Sequence, residues 1–436
     1  MKSVRVYSYR WVVLGALMAV IMASEMQWLS LAPVSRAAAH FYGSQISPSS
    51  MIGPDILTLI HFITFLFVSI PFSYVINKIG TKWSLRSSAV LLAIFGIIKG
   101  IWASHFAVVV FAQVGLSWAH AMILNNVTLV TARWFPLRER GFATGLIMVA
   151  QYLGLLLIMI ISPAVVNINV QSFSYGQGIP HLLLGLGVGT AVGAVAVLFF
   201  FKEQPPTAPS RELFSVESYL SSFKLLLRKK HMGGFIIIFG MVWGLFNVFI
   251  AKIDSLAAFI GVENSGGLAG VVLLGGGMVG SLLIPLLSDY LRKRKLLFFL
   301  CMVGIFLGTL FFAFIPLLEK TAINMKLLGY VAAGLLGFFF QGAIPLGYQY
   351  ASELSYPVQE ASSQAALLMN GHLLAVLLLL FMNLQGGLFL EHVLIVSVAL
   401  LAAGSFGILF LKESPIIITE DERLQAAVDK EAVHRS

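Results

Sequence analysis

Residues Trp134 to Arg140, "WFPLRER", have a counterpart 221 positions further on (134 to 355), Ser355 to Ala361, "SYPVQEA". In each, an aromatic residue precedes a proline, and a glutamate follows the proline by three positions. Proline suits the first position of a helix, where its missing N–H is not needed, and a glutamate in the first turn favours the helix dipole. Pro136 with Glu139 and Pro357 with Glu360 therefore read as two helix starts. A second correspondence lies between "IPFSYVINKIGTK" (70–82) and "IPLLSDYLRKRK" (284–295), which sets Asn77 against Asp289, 212 positions apart (77 to 289). Two offsets, each near half of 436 residues, point to an internal duplication.

What is duplicated follows from the hydropathy. Charged residues make up 11% of the chain, against roughly 25% in soluble domains. The hydrophobic share is 58% and the mean hydropathy +0.91, so there is too little polar surface to cover a soluble globule. Apolar runs long enough to cross about 30 Å of hydrocarbon recur throughout. They predict twelve helices, near 11–34, 55–77, 85–103, 106–130, 138–161 and 181–201, then 233–257, 266–289, 296–318, 327–352, 358–383 and 387–411. The first run follows Lys2, Arg5 and Arg10 but is too long for a signal peptide and lacks a small-residue cleavage site, so it reads as a retained span.

The net charge of +9 is an orientation signal. With twelve spans, both ends of the chain share one side, and that side collects every basic residue of the 28 except Arg36, Lys99, Lys252, Lys320 and Lys326. By the positive-inside rule, both termini are expected in the cytoplasm; the membrane expected is the plasma membrane. No nucleic-acid partner is needed to explain the charge. The organisation expected is an N-terminal six-helix bundle (1–201), a cytoplasmic linker (202–232), a C-terminal bundle (233–411) and a cytoplasmic tail (412–436). In the linker, Leu213, Val216, Leu220, Phe223 and Leu227 recur at helical steps among basic residues, as in an amphipathic helix on the membrane face. A solvated linker with chance periodicity is the alternative.

The fold class expected is thus an all-α membrane protein of two pseudo-symmetric six-helix bundles, parallel halves related about the membrane normal. Over its whole length the chain resembles the major facilitator superfamily. That family's loop between spans two and three reads Gly-x-x-x-Asp-Arg-x-Gly-Arg-Arg; Asn77, Lys78, Gly80 and Lys82 match it with asparagine in place of the acid, while Asp289 and Arg292 fall in the second-half copy. "IPLGYQYASELSYPVQEASSQAALL" (344–368) resembles the feline leukaemia virus subgroup C receptor-related transporters and the disrupted-in-renal-carcinoma group, as do Gln27-Trp28 and Gln151-x-Leu-Gly154. The resemblance implies a secondary or facilitative carrier of a small organic solute working by alternating access, cationic or zwitterionic if it follows the choline carriers. It also implies a cation–π cage, with Trp28 as the span-one aromatic. Asn247 stands where the choline carriers have tyrosine, with Trp243 one turn away as a substitute, and His372 stands where they have glutamine.

Polar residues near span centres are costly against lipid and are expected to face a cavity or one another. They are Gln27, Trp28, His120, Gln151, Asn247, Gln341, Asn370 and His372. Inter-helix hydrogen bonding is the competing role for the glutamine and histidines, and packing for Trp28. Glu25 in span one would cost about 2.5–3.5 kcal/mol if left bare at a helix centre. It is therefore a candidate to couple a proton or bind a cation, the alternatives being a pair with Lys99 or a place in an outer vestibule. Lys252 and Asp254 are expected at a water-facing interface, and Gly275-Gly276-Gly277 with Gly280 at a close helix contact. The sequon Asn126-Val127-Thr128 lies inside a span. The single Cys301 permits no internal disulfide or cysteine metal cluster, and no cofactor is expected. No zinc-protease, nucleophile-elbow or phosphate-loop motif supports an intramembrane enzyme or ATP drive. A membrane sensor built on a carrier fold is the other alternative, and a monomer is expected.

Overall fold

The computed structural model describes residues 6–46, 56–207, 225–226, 228–229, 231–260, 266–315, 325–355, 360–383 and 390–413. Among them every regular element is helical. The first half holds α1 (Arg10–Trp28), a 3-10 turn (Ala32–Val34), α2 (Ser35–Phe41), α3 (Ile56–Ile79), α4 (Thr81–Ile101), α5 (Phe106–Trp134), α6 (Leu137–Val165) and α7 (Ile179–Phe200). The second holds α8 (Met232–Ala251), α9 (Ile253–Phe259), α10 (Gly266–Leu291), α11 (Arg294–Phe314), α12 (Met325–Ser355), α13 (Glu360–Asn383) and α14 (Leu390–Ile408). All but α2 and α9 are 19 residues or longer, which gives the six-plus-six pattern. Ten of the long helices are long and apolar enough to cross a membrane; α3 and α14 carry shorter apolar stretches, 56–69 and 392–408.

Two spans are shorter than their apolar runs. The run 11–34 ends as a helix at Trp28 and turns through Ala32–Val34 into α2, because Pro33 cannot donate into a continuing ladder. The run 233–257 likewise breaks at Lys252 and restarts as α9. Each half therefore places a seven-residue helix after its first span, a further mark of the duplication. Pro136 is the N-cap of α6, one position earlier than expected, with extended backbone (φ −62°, ψ 154°), and Glu139 lies in the first turn. Pro357 falls outside the described residues, as do the tail from 414, the side chains of Asn77, Arg138 and Glu360, and most of the expected linker helix.

Without water to squeeze out, helices in a bilayer associate through close packing of small residues. A Cβ on Gly280 would overlap the Phe338 carbonyl and one on Gly337 the Leu273 carbonyl, so α10 and α12 touch backbone to backbone. In the first half, Gly96 and Gly187 bring α4 and α7 equally close. Between the halves, α6 packs against α10 and α3 against α13.

The face that carries the linker is held within each half by charge. Arg10 pairs with Glu139 at 2.9 Å, and the Tyr9 hydroxyl donates to the Phe200 carbonyl. In the second half Arg294 reaches Asp289, the Ser288 hydroxyl and, at 3.3 Å, Glu353. The first half has no acid at Asn77, yet Glu203 supplies one: it accepts from Arg133 at 2.8 Å and lies against Gly80. Gly80 caps α4 at φ 83°, a conformation that glycine adopts without strain, and a Cβ there would come 2.7 Å from the Glu203 carboxylate. Around them Lys78 is exposed, Lys82 lies over the Trp83 ring at 5.9 Å, and Arg292 turns the chain at φ 53°.

Candidate functional site

Between the two bundles lies a cavity of about 980 Å³, counting its mouth. Its blind end is built on α1. Glu25 and Trp28, three residues apart, share one face of that helix, and the Trp28 indole N–H donates to the Glu25 carboxylate at 2.6 Å. From α6, the Gln151 amide donates to the other carboxylate oxygen at 2.9 Å. From α5, His120 Nε2 stands 3.6 Å from Glu25, while its Nδ1 lies 2.7 Å from the Ser24 hydroxyl. Glu25 is 4% exposed, and among the described residues no lysine or arginine reaches its carboxylate.

The walls are aromatic. His61 of α3 stacks on Trp28 with ring centres 4.8 Å apart and planes 13° apart, and meets His120 edge-on. His372 of α13 lies 4.5 Å from Phe65 and edge-on to Trp243 of α8. Asn247 also lines the cavity, its amide nitrogen donating to the Trp243 carbonyl of its own helix at 2.7 Å. Trp243 Nε1 and His61 Nδ1 are buried here without a hydrogen-bond partner among the described residues. Leu124 and Val127 of α5, Thr144 of α6 and Gln364 of α13 carry the lining toward the linker face.

The opposite face is shut. Asp254 of α9 accepts the Arg36 guanidinium and backbone N–H of α2, each at 3.0 Å, and the Ser35 hydroxyl at 3.4 Å. Just below, Gly267 and Gly270 of α10 press on Met159 and Pro163 of α6. Lys252 and Asp254, expected in water, are each 5% exposed, because this contact between the halves covers them.

Of the residues singled out in the sequence, Glu25, Trp28, His120, Gln151, Trp243, Asn247 and His372 meet in the cavity. Gln27, Gln341 and Asn370 do not. Gln27 is one position from Trp28, hence about 100° around the helix, and turns toward Gly96 of α4. Gln341 is buried against Gly277 of α10, and Asn370 donates to the Ile236 carbonyl of α8. Nor does Lys99 pair with Glu25: its ammonium donates to the Gln27 carbonyl, the Ser30 hydroxyl and Gln113, at 3.0, 2.9 and 2.8 Å. Asn126, in the sequon, is fully buried and bonded to Ser84. The span 55–77 was expected, but none of its interior residues was singled out for the cavity; His61, Phe62 and Phe65 in "LIHFITF" were signalled by one histidine inside an apolar run.

Residues 8–380 match the sequence profile of the Major Facilitator Superfamily. The chain belongs to that superfamily. A Danio rerio protein, "Choline/ethanolamine transporter flvcr2a", is 26% identical over 384 residues, which cover 84% of this chain and 78% of that protein. The human "Choline/ethanolamine transporter FLVCR2" is 24% identical over 86% of this chain and 71% of its own length. "Solute carrier family 49 member A3" of Danio rerio is 27% identical, covering 87% and 79%. Among solved structures, the xylose transporter XylE from E. coli, in a partially occluded inward-open conformation, superposes with a TM-score of 0.71 at 11% identity, covering 95% of this chain and 100% of that one. This facilitator is a multi-pass membrane transporter of a small solute, related to the feline leukaemia virus subgroup C receptor group.

Proposed function

We propose that the solute is a small organic cation of the choline or ethanolamine kind, bound between Trp28, Trp243 and Glu25 and passed across the membrane by alternating access. The observation that carries this is Glu25, a buried carboxylate that no lysine or arginine among the described residues reaches, set at the blind end of an aromatic cavity. Rings attract a cation through their negative faces, and desolvation strengthens that attraction to about 2 kcal/mol. Similarity to choline and ethanolamine transporters over most of the chain supports the same class. That similarity also favours a carrier over the sensor and enzyme readings.

The proposal extends to orientation. The linker face carries most of the basic residues, so by the positive-inside rule it is cytoplasmic, with both termini there; the membrane proposed is the plasma membrane. The cavity then opens inward. The inward form exposes Glu25 to solute arriving from the cytoplasm, while the Arg36–Asp254 contact seals the outside. Glu139 with Arg10 and Glu203 with Arg133 in one half, and Asp289 and Glu353 with Arg294 in the other, brace the cytoplasmic ends of the two bundles, the surfaces that must close against each other between states. The carrier works as a monomer, each half supplying one wall.

Thermal stability of the purified protein tests the class, because a ligand that binds only the folded state raises it with concentration. Choline or ethanolamine is expected to raise the melting temperature, and Trp28→Ala or Trp243→Ala to abolish the rise. A rise given only by neutral or anionic solutes, or an undiminished rise in Trp28→Ala, would overturn the assignment.

A further inference from the structure

Glu25 raises a problem that substrate binding alone does not solve. An alternating-access carrier must also return, and on returning it closes the same cavity without its cargo. A carboxylate closed off from water without a partner charge is heavily penalised, and the group takes up a proton instead. Two neutral donors, the Trp28 indole and the Gln151 amide, hydrogen-bond Glu25 but bring no charge.

The titratable groups on each packed element narrow the choice of neutraliser. Lys99 of α4 is a buried amine packed against α1, but its three N–H groups are all spent on Gln27, Ser30 and Gln113. From α3 comes His61, stacked on Trp28; from α6, Tyr152; from α12, Tyr348; from α13, His372. α8 contributes Trp243, Phe246 and Asn247, none of them titratable, and α7 meets α1 through Gly193, which faces Ala19 and Ala23. His120 of α5 alone stands beside the carboxylate, at 3.6 Å, and is itself positioned by Ser24. Glu25 and His120 thus are the two titratable side chains that, among the described residues, stand together at the spot where the cation would lie.

Resting on the reading of the solute as an organic cation, we infer that this facilitator exchanges that cation for a proton. On the empty return leg the Glu25–His120 pair carries one proton. Arrival of the cation against Trp28 supplies the neutralising charge, and the proton leaves to the water of the open mouth. The carrier reorients with either positive charge aboard and not with the bare carboxylate. One cation crosses one way for each proton the other way, so no net charge moves. The His61 Nδ1 and Trp243 Nε1 atoms, without a partner among the described residues, then face the polar part of the solute, and are the groups it satisfies on binding.

The test uses the purified full chain in liposomes containing a pH-reporting dye, with choline as the probe because a permanent cation does not leak as a free base. Ethanolamine serves as a second probe, with protein-free liposomes subtracted. Choline entering the wild-type vesicles should make the interior alkaline. An interior one pH unit more acidic than the outside should accumulate choline roughly tenfold, the limit for one-to-one exchange. A potassium–valinomycin potential should leave the flux unchanged. In Glu25→Gln the residual flux should lose its proton movement and follow the potential, whereas Glu25→Asp should keep the exchange. Wild-type flux that moves no protons and follows the potential would overturn the exchange and leave the cation carrier standing. Movement of neither probe would overturn both. Proton exchange persisting in Glu25→Gln would remove Glu25 as its site, and the wild-type result decides the matter should that variant fail to fold.

Discussion

Single side chains in this molecule divide by whether they are satisfied inside the protein or left open to the cavity. Lys99 is the satisfied extreme, fully buried with one acceptor for each N–H, tying α4 to α1 and α5. Lys99→Ala leaves those acceptors without their donor in a place water does not reach, at about 1–3 kcal/mol. The expected result is a lower melting temperature with the cation-induced rise preserved. An unchanged melting temperature with the rise lost would place Lys99 in the solute path instead. Glu25 is the opposite extreme, and it was legible in the sequence because a charge inside an apolar run always demands a partner. The facing of uncharged amides was not. Gln27, Gln341 and Asn370 looked like cavity residues, but a span shows its polar positions without showing its rotation, and that is set by neighbours such as Gly96, Gly277 and the Ile236 carbonyl.

At the scale of elements, the two seven-residue helices after the first span of each half decide which way the cavity opens. α2 and α9 meet across the halves through Asp254, which accepts from Arg36 twice and from Ser35. Hydrogen bonds to a charged group contribute about 1.5–3 kcal/mol. Asp254→Ala should therefore shift the balance of the two openings by roughly tenfold or more. Spin labels at the exposed Phe173 and Leu268, one on each half at this face, should report a longer and broader distance distribution in the variant. An unchanged distribution would mean that the glycine contacts of α10 on Met159 and Pro163 hold the face shut without the ion pair. The sequence showed the breaks only as prolines and charges near span ends. That Lys252 and Asp254 are covered could not be read locally, since the partner of Asp254 lies 218 residues away.

For the whole molecule, what was legible was symmetry and sidedness: two proline–glutamate helix starts, two copies of a charged turn, and basic residues gathered on one face. The first-half turn kept its geometry while losing its acid, because Glu203 brings a carboxylate to Gly80 and Arg133 from the start of the linker. No motif search at Asn77 would find that replacement. The shared outcome is a pair of six-helix bundles that enclose one cavity, closed at one face by α2 and α9 and open at the other. The most direct test joins the halves at the closed face. The single native cysteine, Cys301, is buried, so Arg36→Cys with Asp254→Cys offers one reactive pair for a short bifunctional thiol reagent. Rocking of the bundles predicts that linking the pair stops choline and ethanolamine flux in liposomes, leaves the cation-induced rise in melting temperature, and restores flux when a cleavable link is cut. Undiminished flux through the linked protein would contradict alternating access through this cavity.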